Sequence, residues 1–519
     1  MSNADTRLAR EFHEYTKHSY LSVRQNPHWL DGDNQPHPYK IYPDAPELDL
    51  PRDFGQPAAD TFEAISGTAS HGGRLDLPKL ARTLYFTYGI TRTKVYGHGH
   101  FHFRACAGAG ALYPTELYVV ARHVEGVAPG LYHFNPGDFK LRRLREGDLG
   151  EPLVTAAGGD PPVAGAAAVI IETAIFWRST WKYRDRAYRY VYWDAGMVTA
   201  NLLAVAASEG LGARVITAFL DQAVDRLLGI DGEREGTLCL VALGGDSPPP
   251  TSVGDLTALP YRATPLSAQE VDYPALRRVH RACFLEGEQE VQSLRGAAAA
   301  AGNPPAKGRL LTLRMPSPLH GPPLGPTIIR RGSTRKFGRV GIGLNVFSVI
   351  LDRASHGVPM DVFTSEGDST LDLYVIVNDV EELPAGAYYY RRGEGMLELL
   401  KEGEFRADAG HLGLGQALPG DAAACVFFLA DLERVLSTLG NRGYRVAQLE
   451  AGIMGGKMYL AAFAQEIGAT GLTFYDDDVI TFFSPHASGK EPIFLMAFGI
   501  PKSRAEEALK ARDNTSARA

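Results

Sequence analysis

The sequence has few cysteines, no long apolar run and no surplus of basic residues. Its four cysteines (Cys106, Cys239, Cys283 and Cys425) lack Cys-x-x-Cys spacing, which disfavours a disulfide framework and favours a reducing, cytoplasmic setting. No uninterrupted apolar stretch reaches about 18 residues and the first residues are polar, so we expect neither a membrane span nor a secretion signal. With a net charge of −7, neither nucleic acid nor an anionic membrane is an expected partner.

What the sequence does contain is an internal repeat. The segment RAYRYVYWDAGMVTANLLAVAA, from Arg186, matches RGYRVAQLEAGIMGGKMYLAAF, from Arg442, and equivalent residues lie 256 positions apart. The same shift pairs ELYVVARHVEGVAPGLYHF (116–134) with DLYVIVNDVEELPAGAYYY (372–390). One register held over about a hundred residues indicates a fused tandem duplication.

Each copy is predicted to alternate helices with strands, which indicates an α/β or α+β sheet-and-helix fold. Both long helices are apolar on nearly all faces, so we expect them to pack together and make the halves a pseudo-dimer. The first copy is predicted to have helices at 77–88 and ending at 210, with strands at 116–121, 131–134, 167–172, 215–218 and 238–243. The second is predicted to have helices at 344–354 and ending near 467–468, with strands at 372–377, 387–390, 424–429, 472–474 and 493–497.

Composition divides the 519 residues into four regions. We expect an N-terminal extension (1–50), a first domain (51–262), a helix followed by a linker rich in alanine, glycine and proline (263–326), and a second domain (327–519). The helix is expected to be capped by Ser267 and to run to about Leu285. The extension lies outside the repeat and could pack on either half.

The segment AGAGALYPTELYVV (107–120) imitates the start of a dinucleotide-binding loop. Such a loop must open a helix, because the helix N-terminus receives the pyrophosphate. Here Tyr113 and Pro114 follow the glycines, and the apolar run after them predicts a strand. The Rossmann interpretation therefore fails, and a plain turn is the simplest interpretation of this segment in isolation.

A second segment, IIRRGSTRKFG (328–338), concentrates arginines with two hydroxyl residues. Arginine forks and hydroxyl groups are the chemistry that holds a phosphate. The alternative is a solvated run of charges at the edge of the linker.

Taken in order, these motifs resemble flavin-dependent nitroreductases. RRGSTRKF is similar to their phosphate-binding start, and AGAGALYPTELYVV resembles a loop of their SagB-type dehydrogenase branch. WKYRDRAYRYVYWDAG (181–196) resembles that branch's Lys-Tyr motif, and TKHS (16–19) is also typical of it. The resemblance covers nearly the whole chain and implies an α+β fold of two nitroreductase-like domains fused as an intramolecular pseudo-dimer.

The resemblance also implies FMN bound between the two halves. Where the second copy has its arginines, the first has EAISGTAS (63–70), which contains none. Where the first copy has its glycine loop, the second has Glu366, Asp368 and Asp372. Because these losses are complementary, we expect one composite site and one FMN per chain.

The family's site implies which residues would hold the cofactor. Two departures from the family pattern stand out: Gly332 interrupts the usual Arg-Arg-Ser run, and Ala107-Gly108 replace the usual Pro-Ser, which removes one expected hydroxyl contact. The phosphate and ribityl candidates are Arg330, Arg331, Ser333 and Arg335; the ring candidates are Ala107, Gly108, Ala109, Gly110, Ala111 and Leu112, with Gly471, Leu472 and Thr473 near flavin N5; and the C-terminal cations are Lys510 and Arg512, or alternatively Lys502 and Arg504.

Lys182 and Tyr183 resemble the residues that handle protons in SagB-type azoline dehydrogenases; the alternative is that Tyr183 packs and Lys182 is a surface charge. The HGHFHF segment (98–103) places three histidines on one face of a strand, but no acid or thiol completes a metal site. We therefore expect no metal, and expect these histidines to line the flavin mouth. Cys106 is expected to be a packing residue.

The sequence thus predicts an FMN-dependent oxidoreductase, with three alternatives for its activity. The first is dehydrogenation of an azoline-type heterocycle in a small-molecule or peptide substrate. The second is reduction of a nitro or quinone compound, with NAD(P)H as the reductant. The third is a flavin-binding scaffold subunit without turnover. Association of pseudo-dimers into a further homodimer is left open.

Overall fold

The computed structural model describes residues 2–67, 72–97, 99–250, 256–299, 302–365 and 367–507. Its strands are β1 (Glu47–Asp49), β2 (Leu75–Asp76), β3 (Ile90–Tyr96), β4 (Gly99–Arg104), β5 (Thr115–Ala121), β6 (Val124–Glu125), β7 (Gly130–Asn135), β8 (Lys140–Glu146), β9 (Ala168–Ile175), β10 (Ala213–Ile216), β11 (Glu235–Leu243), β12 (Leu310–Thr312), β13 (Leu371–Val377), β14 (Gly386–Arg391), β15 (Met396–Glu402), β16 (Ala424–Ala430), β17 (Gly468–Leu472) and β18 (Glu491–Gly499).

The helices complete each half. They are α1 (Arg7–Tyr15), α2 (Tyr20–Gln25), α3 (Thr61–Ser66), α4 (Leu77–Tyr88), α5 (Gly150–Ala156), α6 (Pro161–Gly165), α7 (Phe176–Tyr183), α8 (Ala187–Ser208), α9 (Asp221–Leu228), α10 (Pro274–Ala282), α11 (Glu288–Leu294), α12 (Leu324–Arg330), α13 (Leu344–Ser355), α14 (Arg406–Leu412), α15 (Ala417–Asp421), α16 (Leu432–Leu439), α17 (Arg442–Ala464) and α18 (Asp476–Phe483). Within the described ranges, no helix is long and apolar enough to cross a bilayer.

The two halves have the same sheet topology, which confirms the predicted duplication and α+β fold. The first sheet runs β1-β8-β7-β5-β9-β11-β10, and the second runs β12-β15-β14-β13-β16-β18-β17. Every neighbouring pair within these two sheets is antiparallel. The central strands β5 and β9, and their counterparts β13 and β16, are almost wholly buried, as their apolar sequences require.

The long helices α8 and α17 cross at a pair of glycines and join the halves. A Cβ placed on Gly196 would lie 2.5 Å from the backbone nitrogen of Ile453, and one on Gly452 would lie 2.5 Å from the carbonyl oxygen of Trp193. Only glycine, which has no Cβ, fits where the two helices approach this closely, so the helix backbones are in direct contact. The predicted pseudo-dimer is therefore built on the repeated Ala-Gly pair.

The N-terminal extension packs on both halves. Phe12 of α1 places its ring 5.5 Å from that of Tyr188 in the first half and 6.2 Å from that of Tyr444 in the second. Further along, Thr16 of the TKHS segment accepts a hydrogen bond from the buried Arg189 (3.1 Å). The extension therefore fastens the two halves to each other across the ends of the long helices.

Several predicted elements differ from the structure, and the long helices α8 and α17 end at Ser208 and Ala464, two to four residues before their predicted ends. The strand predicted at 472–474 is β17, which ends at Leu472, because the chain turns there into α18. The helix predicted from Ser267 begins only at Pro274, and the Ser267 hydroxyl instead accepts a hydrogen bond from Trp177. The predicted extension and linker contribute β1 and β12, one edge strand to each sheet.

Candidate active site

One cavity of about 360 Å³ lies between the halves, where the start of α8 faces α17 and β17. It brings together most of the residues predicted for the composite site: Ala107, Gly108, Ala109, Gly110, Lys182, Tyr183, Ser333, Arg335, Gly471, Leu472 and Thr473. The remainder of its wall is Tyr190, Trp193, Asp194, Met197, Gln416, Tyr459, Thr470 and Phe494, which the sequence reasoning did not assign. Both halves therefore supply wall residues.

The glycine loop forms a tight turn with two residues in the left-handed region, and a strand follows it rather than a helix. Gly110 has φ +62°, which favours glycine, and Ala111 follows with φ +54°. A Cβ at Gly110 would lie 2.6 Å from the Tyr183 hydroxyl oxygen and 3.2 Å from Lys182 Nζ. The absent side chain thus lets the loop touch the predicted Lys-Tyr pair.

Lys182 and Tyr183 are the last two residues of α7, which is fixed by its buried neighbours. The indole N–H of Trp181 donates to the carbonyl oxygen of Asp31 (2.8 Å), and Arg178 is buried against the carbonyl oxygen of His37 (3.0 Å). Lys182 Nζ lies 5.4 Å from the centre of the Tyr183 ring. Burial raises the pKa of Tyr183, so its hydroxyl keeps its proton at neutral pH.

Aromatic rings continue from Tyr183 along the wall of the cavity. The Tyr183 and Tyr190 ring centres are 4.7 Å apart, Tyr190 and Trp193 are 4.6 Å apart, and Trp193 lies 5.0 Å from Phe494 of the second half. The indole N–H of Trp193 donates to Gln448 (2.6 Å), which fixes its orientation. These faces suit a flat, conjugated ring system.

Tyr459 of α17 organises the second-half side of the cavity. Its hydroxyl oxygen accepts the backbone N–H of Gly471 (2.8 Å) and lies 3.0 Å from the Ser333 hydroxyl. The Arg331 guanidinium stands 5.6 Å from the Tyr459 ring centre. The backbone N–H of Gly471, one of the residues expected near flavin N5, is thus already bound by the Tyr459 hydroxyl.

The residues predicted to bind the phosphate and ribityl groups lie in three different settings. Ser333 and Arg335 line the cavity, whereas Arg330 is exposed at the end of α12. Arg331 is buried and donates to the carbonyl oxygens of Ala105 (3.1 Å) and Arg104 (3.3 Å). Its guanidinium therefore binds the backbone of the first half.

The remaining predicted cofactor residues lie elsewhere or outside the described ranges. Ala111 and Leu112 line a neighbouring cavity of about 400 Å³, together with His100 and His102. Lys502 and Arg504 are half-exposed or more, and Arg504 pairs with Glu466. Lys510, Arg512, Glu366, His98 and the end of the 63–70 segment lie outside the described residues.

The neighbouring histidines do not form a recognisable metal site. His100 and His102 stack with their rings 6.4 Å apart, and His102 lies 3.0 Å from the Thr93 hydroxyl. Among the residues the structure describes, no group of three histidine, cysteine or acidic side chains is placed to hold a metal. Cys106 is buried and burial raises its pKa to about 12, as expected for a packing residue.

In the other half, one part of the equivalent position is occupied by the chain itself. By the shift of 256, residues 215–218 correspond to 471–474. Asp361, between α13 and β13, accepts the backbone N–H groups of Thr217 (2.8 Å) and Ala218 (2.9 Å). The two halves have thus diverged at this edge, although a cavity of about 650 Å³, lined in part by Ser66, Gly367 and Ser369, lies on the counterpart side.

Comparison with known proteins agrees with this architecture. The model of the nitroreductase family matches residues 92–245 and 328–500, well over half of the chain. The chain belongs to the nitroreductase family. Each half carries one of the two matched regions, so this is a fused, nitroreductase-family oxidoreductase.

Individual relatives of this nitroreductase-family protein refine the match. A crystal structure of a candidate nitroreductase from Anabaena variabilis has 28% identity and a TM-score of 0.78, covering 95% of this chain and 99% of that chain. A candidate nitroreductase of Methanocaldococcus jannaschii is 34% identical over 170 residues, 33% of this chain and 81% of its own length. The microcin B17-processing protein McbC of Escherichia coli is 28% identical over 142 residues, 26% of this chain and 52% of its own length. The similarity to McbC supports the predicted SagB type.

Proposed function

We propose that this protein binds one FMN in the cavity between its halves and dehydrogenates an azoline-type heterocycle in a peptide substrate. The observation that carries the proposal is the contact of Lys182 Nζ and the Tyr183 hydroxyl with Gly110, inside a cavity that both halves complete. A proton-handling pair, a glycine turn and a cluster of aromatic faces are what such a reaction requires in one place.

The residues present fit a flavin. Gly108, Gly110 and Gly471 line the cavity, so parts of its wall are backbone against which a flat ring can lie. Arg335 and Ser333 would hold the phosphate and ribityl groups. When bound, FMN would supply the acceptor for the hydride that leaves the heterocycle.

Lys182 or Tyr183 would take the proton that the azoline ring loses on becoming an azole. Tyr183 keeps its own proton at neutral pH, so Lys182 is the better candidate for the base, with Tyr183 orienting the substrate by its hydroxyl. In the repeat, the positions of this pair hold Thr438 and Leu439, which can do neither task.

Asp361 supports a stoichiometry of one FMN per chain. It accepts the backbone N–H groups of Thr217 and Ala218, which are equivalent to Thr473 and Phe474 of the second half. A carboxylate at that position would also repel an anionic cofactor.

The two relatives favour different substrates. The similarity to the E. coli microcin B17-processing protein favours a peptide as substrate. The more similar M. jannaschii protein, a candidate nitroreductase, favours the second function, NAD(P)H-dependent reduction of a nitro or quinone compound.

Two measurements test the proposal. Absorbance of the flavin released on denaturation should give one equivalent of FMN per chain; two equivalents would refute the single site. The flavin-loaded protein is then mixed without oxygen with a synthetic thiazoline-containing peptide or with NADPH, and flavin bleaching is followed. Bleaching by the peptide, with azole formation, is expected, whereas rapid bleaching by NADPH alone would favour the reductase.

Variants then test the proton-handling pair. Lys182→Ala and Tyr183→Phe should slow dehydrogenation by about a hundredfold or more while FMN remains bound. Thr438→Ala, at the repeat position of Lys182, is the matched control and should keep the full rate. Unchanged rates in both site variants would remove this pair from the mechanism.

A further inference from the structure

Asp194 stands out in the cavity because half of its carboxyl group has no partner. Among the lining residues described, it is the single acid. It lies on α8 and is 5% exposed, and its Oδ1 accepts the backbone N–H of Ala109 (2.8 Å). Its Oδ2 is buried and has no hydrogen-bond partner among the described residues.

The repeat shows that the fold can satisfy an acid at this position completely. Glu450 of α17 is equivalent to Asp194 and is equally buried. One of its oxygens accepts the Ser369 hydroxyl, and the other accepts the backbone N–H (2.9 Å) and the hydroxyl of Thr370. The unsatisfied oxygen is therefore specific to the half with the open cavity.

A buried, unpartnered carboxyl oxygen costs free energy unless a ligand satisfies it. Burial raises the pKa of Asp194 to about 7, which is the signature of an acid with too few donors around it. Its Oδ2 lies 3.6 Å from where a Cβ of Gly108 would be, against the turn that the proposed function assigns to the flavin ring.

We propose that Asp194 Oδ2 accepts a hydrogen bond from the ring N–H of bound FMN and so orients the isoalloxazine against the glycine loop. This inference rests on the proposed function. Oxidised isoalloxazine has a single N–H, flanked by carbonyl groups, and that N–H needs an acceptor. Lys182, Ser333 and Arg335 line the same cavity as donors suited to carbonyl and phosphate oxygens.

The position of the atom favours the cofactor over the substrate as its partner. A donor can reach the fully buried Oδ2 only if it is itself desolvated and held against the loop. A resident ring meets that condition throughout the reaction, whereas a peptide must enter and leave with each turnover.

Two substitutions separate ligand binding from anchoring of the loop. Asp194→Asn keeps an oxygen for the Ala109 N–H but turns an N–H₂ donor toward the ring N–H, whereas Asp194→Ala removes both functions. Glu450→Gln is the matched control on the equivalent turn of α17. The affinity of each flavin-free protein for FMN is measured by quenching of flavin fluorescence, with circular dichroism to verify folding.

We expect Asp194→Asn to weaken FMN binding by about tenfold to hundredfold, with Asp194→Ala at least as weak and Glu450→Gln within about twofold of wild type. If Asp194→Asn binds FMN as wild type does, loop anchoring alone explains Asp194 and the inference is overturned. If the wild-type protein itself binds no FMN, the proposed function fails, and the inference fails with it.

Discussion

Replacing Gly452 with alanine tests whether the crossing of α8 and α17 sets the geometry of the cavity. A Cβ on Gly452 would lie 2.5 Å from the Trp193 carbonyl oxygen and 2.9 Å from the Cα of Gly196. Ordinary heavy-atom contacts are about 3.5–4.0 Å, so the two helices must move apart by about 1 Å to accept one methyl group. Both contacts are with backbone atoms, so no side chain can rotate away to relieve them.

The expected cost follows from this geometry. Overpacking of a well-packed core destabilises by about 1–3 kcal/mol, whereas alanine by itself favours helix over glycine by about 1 kcal/mol. Gly165, at the end of α6, is the control, because a Cβ there would meet nothing within 4 Å. Gly165→Ala should be neutral or slightly stabilising, and Gly452→Ala should be less stable than this control by about 1–3 kcal/mol.

Urea unfolding followed by tryptophan fluorescence measures the difference, and Trp193 at the crossing reports on it directly. FMN affinity should fall in the same variant, because Trp193 and Asp194 of the cavity wall move with α8. If Gly452→Ala is as stable as Gly165→Ala, the helices are not in backbone contact and the crossing does not set the cavity.

Two further predictions concern buried carboxylates. Although burial would raise it, Arg186 and Arg189 lower the pKa of Asp476 to about 2, so this acid stabilises the fold above about pH 4 and the contribution is lost as pH falls toward 2. Asp476→Asn should cost about 3–5 kcal/mol at pH 7, and the same steep loss between pH 4 and 2 in variant and wild type would contradict this assignment. Asp361→Ala should lower stability by leaving the N–H groups of Thr217 and Ala218 without their acceptor, yet the released flavin should stay at one equivalent, because no arginine replaces those of the other half. A second equivalent of FMN in that variant would mean that Asp361 alone had closed the counterpart.

The fold could be predicted from the sequence because the signals for it are either short-range patterns along the chain or the internal repeat. Helices α4 and α13 began at the predicted residues, and α4 also ended where it was predicted to end, since their apolar spacing and flanking breakers are local signals. The strand assigned to 472–474 was misplaced, because β17 includes glycines that depress strand propensity and is defined by its pairing with β18.

The candidate site was predicted in part. The glycine loop and the Lys-Tyr pair do meet, but Asp194, Trp193 and Tyr459 were missed, although all three lie in the repeated helices. An acid at the same place in two largely apolar helices was a signal for Asp194, since a buried carboxyl requires partners. Tyr459 carried no such signal.

By itself the sequence determined the duplication, the packing together of the two long helices and the difference in motifs between the halves, because a repeat aligned to itself shows which residues one copy kept and the other lost. Only the tertiary structure decided that Arg331 binds backbone carbonyl groups rather than facing the cavity, and that Asp361 binds the backbone N–H group of Thr217. Both facts depend on partners more than a hundred residues away in the other half. Such contacts follow from how the halves pack, which no local pattern specifies.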